Sequence, residues 1–321
     1  MPRIASRTRE RSALPDSPNG AATPTSIVAA LKAVAGNPPK ARASFAKGWC
    51  VRGTYTPSDR AGDVTRSQSF TRPSRVLARF SVGGGHPDVA DTNKQMLRGF
   101  SFKLGDEDHR SDILVESAPV HFARTLDQML AFLEARIPGP DGKVDAEKVA
   151  AFSAANPETR HQADYSIARP PTAGFGCTTY WGVHAFPATN AEGETRFVKL
   201  RINPVGGDVA LTADEVRARS ADFLHDDLRR RIAARQVRFS VMALLDRPGD
   251  PTMDVTIRWP DEDHREAVRL GTIVITRIEP NEICDAAIFD PANLAEGIGH
   301  PPDEIFAARS AAYRLALAKR R

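Results

Sequence analysis

WCVRGTYT (49–56), SRVLARFSV (74–82) and LRGFSFKL (97–104) are short runs in which Val, Thr and Phe recur between turn residues, the composition of β-strands. Five later runs read the same way: TTYWGVHAF (178–186), ETRFVKLRINP (194–204), QVRFSVMALLD (236–246), MDVTIRWP (253–260) and LGTIVITRIE (270–279). Helical spacing appears around them. TSIVAALKAV (25–34) follows an N-cap candidate at Thr25, and LDQMLAFLEAR (126–136) and 144–155 are separated by Pro138-Gly139-Pro140. TADEVRARSADFLHDDLRRRIAARQ (212–236) reads as one long charged helix, and a last helix runs from about Asp303 through Arg320. Strands in two sets, interrupted and followed by helices, predict an α+β chain built on one closed antiparallel β-barrel of about eight strands. Residues 1–24, with Arg3, Arg7, Arg9 and Arg11 among four prolines, read as a flexible N-terminal arm, and 25–321 as a single domain.

Composition narrows the function classes. The 321 residues are 41% hydrophobic, enough for a sizeable core, which excludes disordered and fibrous roles. Lys plus Arg number 44 against 40 Asp plus Glu, and a net charge of +4 on this length does not argue for nucleic acid. No window approaches a membrane span and the N-terminus lacks an apolar signal core, so the expectation is a cytoplasmic protein with no membrane partner. Cys50, Cys177 and Cys284 are too few for a disulfide framework and form no C-x-x-C pair, so all three read as reduced thiols. SVGGGH (81–86) lacks the G-K-[ST] ending of a phosphate loop, and no histidine pair, His184 in its strand included, has metal-ligand spacing.

One constellation carries chemistry. Arg309, Tyr313 and Arg320 are offset by four and seven residues on the last helix, which places a guanidinium beside a phenol on one face. A cation there favours phenolate, and a tyrosinate can ligate ferric haem iron; the same spacing equally suits a packed aromatic with a snorkelling neighbour.

Three ordered motifs bear on that choice. RASFAKGWCVRGTYTPS (42–58) resembles the Arg-x-x-His-Ala-Lys-Gly segment and following strand of the catalase superfamily, specifically its small catalase-related peroxidases. ARFSVGGGHPDVADTNKQMLRGFSFKL (78–104) and DILVESAPVHFART (112–125) are similar to its Arg-Phe-Ser, Arg-Gly-Phe and Pro-Val-Phe-Phe-x-Arg segments. IFDPANLAEGIGHPPDEIFAARSAAYRLALAKRR (288–321) resembles its Arg-x-x-x-Tyr haem-ligand signature, so the likeness covers roughly 25–321. It implies a haem-dependent fold with haem b between barrel and helices, Tyr313 as iron ligand and Arg309 keeping it ionised. It also implies Arg42, Arg79 and Arg320 as propionate partners, Phe122 in the pocket, Ser81 as the distal serine, and Met129 and Phe132 as channel lining. The chain ends just after this helix, which implies the minimal version of the fold and a monomer or homodimer.

Two positions depart from the resemblance. Phe45 stands where the distal histidine belongs, and a phenyl ring cannot take the peroxide proton or return it, a task worth about 10²- to 10⁴-fold in rate. His121 stands where the family has the first Phe of Phe-Phe. Either His121 supplies the imidazole from another wall of the same pocket, or it is a packed histidine without a catalytic role. Glu116 and Ser117 occupy the region of the distal asparagine, Glu116 as a distal acid or as an outward-facing strand end. The leading reading is a peroxidase that uses hydrogen peroxide or an organic hydroperoxide with a small reductant. The alternatives are a hydroperoxide isomerase or lyase, which Phe45 favours, and a non-enzymatic haem carrier.

Overall fold

In the computed structural model, residues 22–320 are described, and most of the expected N-terminal arm lies outside them. Nine strands form one antiparallel sheet: β1 Gly48–Pro57, β2 Ser74–Val82, β3 Arg98–Leu104, β4 Ser111–Glu116, β5 Tyr180–Trp181, β6 Phe186–Thr189, β7 Thr195–Pro204, β8 Arg238–Leu245 and β9 Ala267–Ile278. The order β5-β4-β3-β2-β1-β9-β8-β7 returns to its start because Tyr180 and Trp181 pair with Ile202 and Arg201, which closes the expected eight-stranded barrel. β6 continues along the same edge of β7, from Phe186 opposite Val198 to Thr189 opposite Thr195.

Period-two alternation divides each strand between two environments. Val76, Ala78, Phe80 and Val82 of β2, Phe100 and Phe102 of β3, and Ile113 and Val115 of β4 belong to the main core. The Phe80 and Phe100 rings stack at 4.4 Å and Phe239 meets Phe100 at 5.1 Å, so aromatic side chains fill the barrel as in other small barrels. The intervening residues face outward, where helices cover them.

The opening helix runs Pro24–Val34 with Thr23 rather than Thr25 as N-cap, because Pro suits the first helical turn and Thr23 closes a capping box with Ser26. Helices Leu126–Glu134 and Glu304–Ala318 pack beside it through Ile27, Leu126, Leu133 and Ile305.

Four further expectations change. MDVTIRWP is turn rather than strand: Asp254 accepts hydrogen bonds from the Thr256 amide at 2.9 Å and hydroxyl at 2.6 Å, a local alternative to a ladder. The helix predicted over 212–236 is two, Ala213–Ala218 and Phe223–Ala233. Asp91 captures the break, donating its amide to the Ala221 carbonyl at 2.9 Å and accepting from the Leu224 amide at 2.9 Å. TTYWGVHAF holds only a two-residue strand, β5, before the chain leaves the ladder at Gly182 and rejoins it as β6 at Phe186.

The fourth change concerns the cysteines. Cys50 and Cys284 form a disulfide, with Cα atoms 5.6 Å apart across 234 residues of sequence, while Cys177 is a free buried thiol. The helix Asn281–Ala286 lies on β1 and β2, and that packing brings the two sulfurs together where spacing alone gave no hint. Closing so long a loop removes conformational freedom from the unfolded chain. Replacing both cysteines by serine is expected to lower stability by about 2–4 kcal/mol in denaturant titrations, and an unchanged midpoint would show that the bridge contributes nothing.

Candidate active site

Between the outer face of β2–β4 and the helices lies a cavity of ≈ 670 Å³. Its barrel wall is made of the outward residues of the alternation, Arg79 and Ser81 from β2, Gly99 and Ser101 from β3, and Leu114 and Glu116 from β4. Arg309, Ala312, Tyr313 and Ala316 line it from the C-terminal helix, whose small alanines keep that face flat; the helix ends at Ala318 rather than Arg320, so Arg320 lines the cavity from the turn beyond the Lys319 cap. Arg42, Phe45, His121, Phe122, Met129 and Phe132 complete it, so every site residue expected from the sequence borders one cavity.

Tyr313 and Arg309 meet as the spacing implied, Nη2 donating to the phenolic oxygen at 2.9 Å. Sequence reading missed what lies behind them. The other guanidinium arm donates to His184 Nε2 at 2.8 Å, and His184 Nδ1 bonds Asp303 Oδ2 at 2.8 Å. An imidazole accepting at Nε2 carries its proton on Nδ1, so His184 donates that N–H in a hydrogen bond to the carboxylate and stays neutral; burial foremost holds its pKa below the ordinary histidine value. Asp303 Oδ1 also accepts from the Phe306 amide at 2.8 Å as the helix cap, so one carboxylate fixes both the helix start and the imidazole. Burial works against the charge of Arg309, but Tyr313, then Glu116 and Asp303, raise its pKa overall. His184 sits in the break between β5 and β6, and its partner lies 119 residues away, so no local motif announced it.

A second cluster is cationic. Arg42 donates to the Cys284 carbonyl at 2.7 Å and Asp285 Oδ1 at 3.0 Å, and Arg320 approaches the same Asp285 oxygen at 3.9 Å. Arg79 is buried and donates to the carbonyls of Phe45 at 2.9 Å and Ala46 at 2.8 Å. Burial first, then Arg42 and Arg320, push its pKa down to about 9 against the pull of Asp285. Three guanidinia line one side of the cavity, and the buried Arg42 Nε has no hydrogen-bond partner among the described residues. That open donor beside two further arginines suits an anionic group, whose carboxylates could accept from the forked donors. An anionic, flat cofactor carrying two carboxylates and an iron that takes tyrosinate fits the donor set: haem matches on each count.

Phe45 adopts φ of +51°, a conformation uncommon for a bulky residue, and Arg79 pins its carbonyl there. Its ring lies over Gly99, where a Cβ would fall 2.9 Å from the ring and 2.6 Å from Ser81 Oγ. The glycine therefore leaves room for phenyl ring and hydroxyl side by side. His121 follows β4, its Nδ1 2.9 Å from the Ala123 carbonyl and its ring 4.3 Å from that of Phe122. Burial foremost lowers its pKa to about 4, with the Ala123 bond pulling the other way, so the imidazole is neutral near pH 7.

A family model described as catalase matches residues 37–321. A catalase-related peroxidase of Synechococcus elongatus is 32% identical over 303 residues, 93% of this chain and 88% of that protein. Another from Mycolicibacterium paratuberculosis is 28% identical over 302 residues, 92% of this chain and 94% of that protein. Among solved structures, a fungal catalase superposes with a TM-score of 0.78 at 23% identity, a likeness of fold; it covers 87% of this chain, which spans 59% of that larger one. The matched span runs from the segment holding Arg42 through the helix holding Tyr313, and the chain belongs to the catalase family.

Proposed function

We propose that this chain is a peroxidase containing haem b that reduces hydrogen peroxide or an organic hydroperoxide at the expense of a small reductant. The observation that carries the reading is the phenol of Tyr313 held by Arg309 at 2.9 Å on the wall of a cavity that Arg42, Arg79 and Arg320 also line. Tyr313 would ligate the iron, Arg42, Arg79 and Arg320 would pair with the propionates, and Phe122 would pack against the ring. Haem so held would supply the redox chemistry for peroxide reduction.

The protein's own residues handle the protons. Arg309 donates to the Tyr313 oxygen that would meet the iron, and its bond to neutral His184 and thence Asp303 keeps the guanidinium in place. Phe45 offers no proton acceptor, so the peroxide proton needs another. His121 is assigned that role with Ser81 as a hydrogen-bond partner for the peroxide: Nδ1 meets both the Ala123 carbonyl at 2.9 Å and the Ala123 amide at 3.2 Å, and in the tautomer that donates to the nearer carbonyl the Nε2 lone pair is the proton acceptor. His121→Phe is expected to lower peroxide turnover by about 10²-fold or more at equal haem content. Steady-state assays with hydrogen peroxide and a fatty acid hydroperoxide check it, and unchanged turnover would remove His121 from the mechanism. The phenyl ring over Gly99 favours one second reading, rearrangement of a hydroperoxide without net reduction, which the same assays separate by whether reductant is consumed.

A further inference from the structure

Glu116 ends β4, where a glutamate ordinarily turns to water. Here the outward face of the barrel is the cavity wall, and Glu116 lies on it. The strand registers place it in a row. Ser81 pairs with Gly99 and Gly99 with Glu116, so the three occupy one line across β2, β3 and β4 on one face. The Phe45 ring covers the middle position, Gly99. Glu116 therefore stands one strand spacing, about 4.8 Å, beyond the spot that the ring fills.

Its carboxyl is held as well as placed. Gln162, from the helix His161–Ile167, donates through Nε2 to Glu116 Oε1 at 2.7 Å and to the Val120 carbonyl at 2.8 Å. One amide thus ties the carboxyl to the peptide that precedes His121. On the facing C-terminal helix, Arg309 is the charged group whose field reaches Glu116; Ser81 and Gly99 bring no charge from β2 and β3, and His121 is neutral. Burial outweighs both Arg309 and the Gln162 bond, and the carboxyl is pushed up to about 7. A carboxyl half protonated at neutral pH can donate, as a surface glutamate cannot.

We propose that Glu116 is the general acid of this pocket and Gln162 its positioning residue, dividing between a carboxyl and the His121 imidazole the proton task that Phe45 cannot perform. The inference rests on the peroxidase reading above. His121 Nε2 takes the proton from the near peroxide oxygen, and the O–O bond breaks. Glu116 gives its proton to the far oxygen, which leaves as alcohol or water. The imidazolium proton then restores the carboxyl. With two electrons from the small reductant and two protons from solvent, the balance is ROOH + 2 e⁻ + 2 H⁺ → ROH + H₂O.

The test uses the haem-loaded protein and two readouts. The first is fluoride affinity, followed by absorption between pH 5 and 9. A protonated carboxyl stabilises bound fluoride by donating to it, so affinity falls as pH rises through about 7 in the wild type. Glu116→Gln removes that step, and Gln162→Met moves it to higher pH because the bond favouring the carboxylate is lost. The second is peroxide turnover, expected to fall about 10²-fold or more in Glu116→Gln, to lose its decline above neutral pH, and to decline at higher pH in Gln162→Met. A neutral fluoride step that survives Glu116→Gln overturns the proposal, as does unchanged turnover in that variant. A wild type that shows the Glu116-dependent fluoride step but no peroxide turnover leaves Glu116 as the donor of the pocket and overturns the peroxidase reading instead.

Discussion

Phe45→His is expected to raise hydrogen peroxide dismutation by about 10²- to 10⁴-fold at neutral pH, measured as oxygen release per bound haem. The backbone is already prepared for it. At φ of +51° a phenylalanine is out of place, whereas histidine is among the residues enriched in that region. Arg79 bonds the carbonyls of residues 45 and 46, contacts that do not depend on the side chain. Gly99 leaves the space that the phenyl ring fills beside Ser81 Oγ, and a smaller imidazole fits there within reach of the hydroxyl. The gain follows from restoring a group that can take and return one proton at one place, rather than sharing the task among residues with other approach angles. No gain at unchanged haem content would mean that the missing base is not what limits this pocket.

The barrel was legible because period-two alternation is local: Val76, Ala78 and Phe80 announce one face of β2 within a few residues. The errors came where a distant group overrode a local pattern. The 212–236 run has helical composition throughout, and its break is held by Asp91 and Lys47, both far away in sequence. MDVTIRWP has strand composition, yet Val255 and Trp259 are buried from turns, the indole donating to the Pro251 carbonyl at 2.9 Å. The site was half legible for the same reason. Arg309 and Tyr313 lie four apart on one helix and could be read directly. His184, Asp303, Gln162 and Asp285 act through pairings across the chain, and the Cys50–Cys284 bridge beneath Arg42 joins segments 234 residues apart. Glu116 was visible as a residue type but not as part of a cavity wall, because an outward strand position faces a cavity only when helices cover that face.

Tyr313→Phe is expected to have the other large effect. It keeps the aromatic ring in place but removes the oxygen that Arg309 holds, and with it the proposed iron ligand. Removing the ligand itself should cost more than the about 10- to 100-fold typical of changes to outer-shell partners, with haem retained weakly by the arginine cluster alone. The account stands or falls on that oxygen. Its most direct test is resonance Raman spectroscopy of the ferric haem-loaded protein, comparing the wild type with Tyr313→Phe. Iron–tyrosinate vibrations in the wild type that vanish in the variant are the predicted result. Haem bound by the wild type without those vibrations, or with a spectrum that Tyr313→Phe leaves unchanged, would contradict it.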